Sequence, residues 1–360
     1  MKIVQPPGRP KGLPGSLFMA IAELSEQRLP IIGITIGDAA GIGPEISLKA
    51  VTDDDVRKPC IPVLIGDLAF LKKTSAELKL DIELVSLSDS VGSNGRNIQV
   101  FDTANLPENI RIGHDDAVTG KASAEFINAA VELCTDGKID AISTAPISKK
   151  AFSLGGYHYP GHTELLAHLT DTRDFAMSFF AGPLRVILVS THVSLRKAID
   201  LVTTAKLIEV IRFTDVQLAR LLGRHIKIAI AGLNPHASEQ GMFGDEEAHQ
   251  IVPAVRTCRE EYGINVSGPY SPDTIFLRGH SGEFDAIVAC YHDQATIAVK
   301  SLSFGSAVNV TLGLPLIRTS VDHGTAYDIA GQGVAEASSM KAAIKLAAEL
   351  VAIKRAKTRH

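Results

Sequence analysis

Short apolar runs rich in β-branched residues recur along this chain, with longer amphipathic stretches between them. That alternation limits the fold more than any other feature. The runs "LPIIGITIG", "CIPVLIG", "KIDAIST", "LRVILVST", "HIKIAIAG" and "FDAIVAC" are continuously apolar rather than alternating. A strand of that kind is buried on both faces, as in a parallel sheet covered by helices. Helical patterns fill the intervals, among them Thr119–Cys134, Ala205–Leu222 and the C-terminal "SSMKAAIKLAAELVAIKRAK", whose basic last turns suit the negative end of a helix dipole. Strand–helix alternation over 360 residues predicts a doubly wound α/β architecture large enough for two domains.

The totals exclude several classes. A net charge of −4, with no basic run and no Trp, gives no basis for binding nucleic acid or an anionic membrane. No segment approaches the ~20 apolar residues of a spanning helix. Cys60, Cys134, Cys258 and Cys290 are scattered without CxxC spacing, as expected of free thiols in a reducing compartment, so a cytoplasmic protein is expected. Residues 1–30, with a basic Pro/Gly-rich start and the short apolar piece Leu17–Leu24, read as an extension outside the core.

In doubly wound sheets, ligands gather beyond the carboxyl ends of the strands. Three histidines occupy such ends: His192 after "VILVST", His236 after "IAIAGLNP" and His292 after "AIVACY". Three imidazoles with an open position suit a divalent metal that does chemistry, with zinc, cobalt or nickel compatible with the donors. Each histidine alone is more often a hydrogen-bonded loop residue; it is the repetition that points to a shared site.

Other polar groups are grouped as well. In "GYHYPGHTELLAHL", Thr163 is placed to cap a helix, next to His162, and a helix start attracts phosphate or carboxylate. Lys300, Asn309 and Arg318 emerge among apolar residues, where charges need anionic partners, either protein carboxylates or a phosphorylated or carboxylated substrate. "ITIGDAAGIGPEI" reads as strand, glycine turn and a helix opened by Pro44, but it fits neither nucleotide-loop consensus.

The motifs "GDAAGIGPE", "GHTE", "THVSL", "GLNPHASE", "PDTIF", "YHDQ" and "VNVTLGLPLIRTSVDHGTAYDIAG" occur together and in this order. From about Ile31 to near the C-terminus the chain resembles the 4-hydroxythreonine-4-phosphate dehydrogenase family, within the isocitrate/isopropylmalate dehydrogenase-like fold. The resemblance implies a two-domain α/β/α sandwich with its active site in the interdomain cleft. The domains it suggests are 31–150 plus 305–360 on the cofactor side and a central metal, substrate and dimerisation domain, 151–304. It implies a homodimer in which His192, His236 and His292 hold a divalent metal, zinc foremost, with cobalt or magnesium as alternatives and His292 a donor across the interface. Substrate contacts carry over to His162, Thr163, Lys300, Asn309 and Arg318, with Asp273 and Asp293 near the substrate's polar end. NAD, or NADP, would lie along Gly313, Leu314, His323, Gly324, Thr325, Ala326 and Asp328. Lys300, if desolvated, is the proton-transfer candidate.

Three departures stand out. "GDAAG" replaces the more usual "GDPAG", "HASEQG" replaces an "HAGE-x-G" form, and "YHDQATIAVK" replaces "YHDQG-x-x-P-x-K". The first, with "YPGHTE", resembles the branch that oxidises 4-phospho-D-threonate or its erythronate epimer. A branch acting on an aromatic dihydrodiol tends to lose the "GHTE" and the Lys/Asn/Arg set. The expected reaction is oxidation of a phosphorylated four-carbon hydroxy acid, with decarboxylation following. Against it stand a three-histidine zinc hydrolase or lyase without nicotinamide, an acyltransferase on a related fold, and a non-catalytic metabolite sensor.

Overall fold

The structure is a computed structural model that describes residues 28–87, 97–303 and 305–357. The piece Leu17–Leu24 and most of the expected extension lie outside the described residues.

Among the described residues, twelve strands form one sheet in the order β3-β4-β2-β1-β5-β12-β11-β6-β7-β10-β8-β9. They are β1 (Ile31–Thr35), β2 (Ile61–Gly66), β3 (Glu83–Ser86), β4 (Asn97–Asp102), β5 (Ala141–Thr144), β6 (Ala176–Ala181), β7 (Leu184–Leu188), β8 (Ile228–Ala231), β9 (Val266–Tyr270), β10 (Ala286–Ala289), β11 (Val308–Leu312) and β12 (Ile317–Ser320). Every apolar run quoted above is one of them. The helices Ala117–Thr135, Thr204–Leu222 and Ser338–Lys357 cover the sheet where helical periodicity is found.

The sheet is not parallel throughout. Parallel blocks on either side meet at three antiparallel junctions, β12 with β11, β11 with β6, and β6 with β7. Three reversals leave the two blocks running in opposite directions, so their carboxyl ends do not share one edge of the sheet. The functional space therefore lies across the face of the central strands.

The apolar core follows the same division. One cluster draws on buried residues between 31 and 167 and between 314 and 351. Two others cover opposite faces of the second block, one with Ile228, Ile230 and Val288, the other with Ala229, Ala231 and Ile287. Alternation along a strand requires that separation. The helix Ser338–Lys357 spans the division, giving Met340 and Ile344 to the first cluster and Ala343 to the second. All four cysteines are free, three of them buried. Burial raises the thiols of Cys60 and Cys290 to about 12, which makes them inert packing groups.

Candidate active site

Pairing register places one row of side chains on a single face of the central strands. Asn309 on β11 faces Ser320 of β12 and Phe179 of β6; Ser320 faces Thr144 of β5. Directly paired residues project to the same side. A cavity of about 1640 Å³ opens above this row, lined by Thr144, Phe179, Leu188, Asn309, Arg318 and Ser320. Its walls bring in His162 and Thr163 from one side, His192 and His292 from the other, and Lys300 with Asp322 at the rim.

The floor is the informative part. Arg318 is only 3% exposed. Its Nη1 donates to Thr311 Oγ1 at 3.1 Å and its Nη2 to Thr144 Oγ1 at 2.7 Å, while Nε has no partner. No carboxylate pairs with it among the described residues. Burial lowers this guanidinium to about 10, against the pull of Glu164, and it remains a cation at neutral pH. Its neighbours also hold unused capacity, since His162 Nε2 and Asn309 Oδ1 are buried without partners. Burial, and then the charge of Arg318, push the His162 imidazole well below its usual range, so the ring is neutral. A buried unpaired cation flanked by unsatisfied polar atoms is costly unless a ligand completes it, and an anion is the ligand that does so.

Thr163 is not the helix cap. The helix runs His162–Leu169 with Gly161 at the cap position and no capping side chain, so Thr163 sits in the first turn. The first-turn N–H groups of a helix have no partner within the helix, and both His162 and Thr163 line the cavity. Lys300 is not desolvated either: its side chain is 52% exposed and its Nζ lies 3.8 Å from Asp322.

The three histidines follow β7, β8 and β10, which are adjacent in the sheet. His192 and His292 meet, with ring centroids 5.5 Å apart. Burial and the nearby Lys149 lower the His192 imidazole, favouring its neutral, ligating form. Asp293 holds His292 Nδ1 at 2.7 Å, the carboxylate–imidazole arrangement that orients a metal-binding ring. His236 does not join them; its Nδ1 lies 3.9 Å from Asp273, and it does not line the cavity. Among the described residues no three such donors gather in one chain. Asp273 and Asp293 therefore each accompany a histidine rather than line the cavity.

The residues implied for the cofactor divide along β12. Gly313 and Leu314 precede that strand, where Gly313 has φ +97° and packs against the Asp174 carbonyl. Leu314 is buried in the first core. The loop after β12 brings His323 and Gly324 to the cavity, with open space beside Gly324. Thr325, Ala326 and Asp328 continue it. This loop is tied to the early glycine turn: Ile42 N donates to Thr325 O at 3.0 Å, and Tyr327 Oη to Asp38 Oδ2 at 2.6 Å. A Cβ on Gly41 would stand 2.9 Å from Thr325 O, so that glycine is what lets the two loops touch.

Sequence reasoning missed Gln294, Glu247 and Asp322. Gln294 is buried and bridges two strand ends, accepting from Cys290 N and donating to Gly232 O. It sits inside the quoted "YHDQ", but nothing in its spacing marks it as a bridge.

A large mixed sheet flanked by helices, with a cleft centred on a buried arginine that no carboxylate among the described residues pairs, defines an α/β protein with a site suited to an anion. The chain belongs to the family described as pyridoxal phosphate biosynthetic protein PdxA, whose pattern matches residues 58–347. It is 44% identical to the D-threonate 4-phosphate dehydrogenase of Salmonella typhimurium, over 89% of this chain and 98% of that one. A crystal structure of 4-hydroxythreonine-4-phosphate dehydrogenase from Klebsiella pneumoniae superposes with TM-score 0.82 at 41% identity, covering 89% of this chain and 99% of that one. The terephthalate 1,2-cis-dihydrodiol dehydrogenase of Burkholderia xenovorans is more distant, with TM-score 0.60 and 28% identity over 89% of this chain and 98% of its own. No helix among the described residues is long and apolar enough to cross a membrane.

Proposed function

We propose that this protein is a cytoplasmic, homodimeric dehydrogenase that oxidises 4-phospho-D-threonate, with NAD as acceptor and a divalent metal as helper. The observation that carries the reading is Arg318, buried at the cavity floor with no carboxylate among the described residues to neutralise it. The name of the Salmonella relative, with "GDAAG" and "YPGHTE", favours the threonate ester over 4-hydroxy-L-threonine 4-phosphate, and the retained Lys300, Asn309 and Arg318 favour a phosphorylated substrate over a dihydrodiol.

In this reading Arg318, His162 and Asn309 bind the phosphate, with the first-turn N–H groups at Thr163 beside them. Binding so far from the reacting carbon fixes orientation at that carbon. The donor chemistry of His192 and His292 fits a divalent metal, and His236, one strand further along the sheet, is the third proposed ligand. When bound, such a metal supplies a Lewis acid that lowers the pKa of the substrate hydroxyl and steadies the ketone oxygen that replaces it. The open edge at Gly324 fits a nicotinamide nucleotide as hydride acceptor. Oxidation takes a hydride from carbon and a proton from the hydroxyl, and Lys300, held by Asp322, is the residue proposed to pass that proton on. Loss of the neighbouring carboxylate as CO2 would follow from the ketone.

The test compares D-threonate 4-phosphate, D-erythronate 4-phosphate and 4-hydroxy-L-threonine 4-phosphate, with NAD and zinc or magnesium, by NADH absorbance. The fastest turnover is expected with the D-threonate ester. Absence of NADH with all three esters, in the presence of either metal, sinks the proposal.

A further inference from the structure

The segment after β8 adopts a backbone that L-residues almost never string together. His236, Ala237, Ser238, Glu239 and Gln240 all have φ between +47° and +67°, so the chain makes a left-handed turn without one glycine until Gly241. Single non-glycine residues visit this region; consecutive ones crowd each Cβ against the next carbonyl. Such a turn persists only where its surroundings hold it.

The hold is visible. Glu247 is 2% exposed, and its Oε1 accepts from Leu233 N at 2.8 Å and Asn234 N at 2.7 Å. Its Oε2 accepts from Asn234 Nδ2 at 2.9 Å, and the same Nδ2 reaches Glu246 at 2.7 Å. Glu247 itself opens a π-helical turn, Glu247–Ile251, an irregularity frequent at functional positions. Behind it, Gly232 N donates to Tyr270 O, and Gln294 Nε2 donates to Gly232 O at 2.8 Å. Gln294 lies on the helix that begins with His292. One buried network thus links the residues before His236 to the helix that carries His292.

We propose that Glu247 is a positioning residue: its buried carboxylate pins residues 233–234 and so sustains the left-handed turn that presents His236 beside Asp273. The inference rests on the reading of His236 as a metal donor. A right-handed turn would send the imidazole elsewhere, so the strain held by Glu247 fixes the placement of that donor.

The test uses the full-length protein with Glu247→Ala, Glu247→Gln and His236→Ala. Amide exchange of the metal-free proteins is followed by mass spectrometry, and zinc affinity by calorimetry. In Glu247→Ala, peptides spanning 233–241 are expected to exchange at least tenfold faster, while the helix Thr204–Leu222 keeps its protection. Zinc affinity should fall about 10–100-fold, the range seen when an outer partner of a ligand is lost, and Glu247→Gln should restore most of it. Unchanged exchange over 233–241 overturns the proposal. Faster exchange with undiminished zinc affinity, in a background where His236→Ala loses zinc, also overturns it, because Glu247 is then only a structural brace. If His236→Ala itself binds zinc like wild type, the metal reading fails first, and the proposed aim of the turn fails with it. Should Glu247→Ala not fold, Glu247→Asp, one methylene short of residues 233–234, is measured in the same two ways with the same criteria.

Discussion

Replacing Tyr327 with Phe removes one hydroxyl and tests whether the early glycine turn and the loop after β12 act as one unit. Tyr327 Oη donates to Asp38 Oδ2 at 2.6 Å, and Asp38 is fully buried, its other oxygen accepting from Ala40 N at 2.9 Å. Burial raises the Asp38 carboxyl above its usual range, and the Tyr327 hydrogen bond works against that rise. Burial and then Asp38 also push the Tyr327 phenol upward, so it stays a donor at every working pH. A hydrogen bond to a charged group contributes about 1.5–3 kcal/mol, and one to a neutral group about 1 kcal/mol. Tyr327→Phe should therefore cost about 2–3 kcal/mol at pH 8 and about 1 kcal/mol near pH 4.5, where more of Asp38 is protonated. The sign follows from the raised pKa. From the unfolded value of 3.8 upward the folded state holds the proton more tightly, so this group's contribution declines as pH rises through the folded value. Asp38→Asn should abolish that dependence, and the double mutant should show a coupling of about 1–2 kcal/mol at pH 8. Urea unfolding of the four proteins at both pH values gives the cycle, and KM for NAD, the proposed acceptor, should rise several-fold in Tyr327→Phe as the loop loosens. A cost below about 0.5 kcal/mol, or strict additivity with Asp38→Asn, would refute the link between the loops.

Two further predictions concern residues whose burial or backbone is unusual. Ser238 stands at φ +67° where the family form "HAGE-x-G" has glycine. Ser238→Gly should relieve about 1–2 kcal/mol of left-handed strain and return about 0.5–1 kcal/mol to the freedom of the unfolded chain, for a net gain of about 0.5–1 kcal/mol. The urea midpoint should rise at constant slope, and a lower midpoint would show the turn is not strained. Arg318→Met replaces an uncompensated buried charge with an apolar chain of similar reach, so stability should hold or rise by about 1 kcal/mol. Inorganic phosphate should raise the thermal midpoint of wild type and leave that of Arg318→Met unmoved; an equal shift in both removes Arg318 from the anion site.

What could be read in advance was the part of the molecule in which local pattern and tertiary role agree. Strands β1, β2, β5, β7, β8 and β10 are largely buried and appear as mainly apolar runs. The central strands β6, β11 and β12 are less legible because they floor the cavity. Asn309, Thr311 and Arg318 interrupt the apolar pattern of β11 and β12 for that reason. The reversal of direction at those strands has no sequence signal of its own, since a strand's residues do not encode which neighbour it meets. Arg318 and His162 could be picked out as chemistry-bearing groups, but their lack of protein partners is a property of assembled side chains. The same holds for the histidines. Their positions after strands were readable, but the separation of His236 from the His192–His292 pair depends on a left-handed turn that "PHASEQ" does not announce.

That turn and the unpaired arginine are deviations of one kind. A chain with no ligand to hold would pair Arg318 with a carboxylate, as Arg224 is paired with Asp285 and Arg355 with Asp140. It would also place glycine where φ is positive, as at Gly223 after the helix Thr204–Leu222. The unpaired arginine lies at the cavity floor and the five-residue left-handed run beside a proposed metal donor, whereas elsewhere non-glycine residues at positive φ, such as Lys79 and Ala104, stand singly. Departures of this sort survive where neighbouring structure enforces them and something outside the chain completes them. For Arg318 the completing group is an anion, for which the cavity leaves room. For the left-handed turn the enforcing group is Glu247, and relaxing that carboxylate's grip is expected to move His236 before it unfolds anything else.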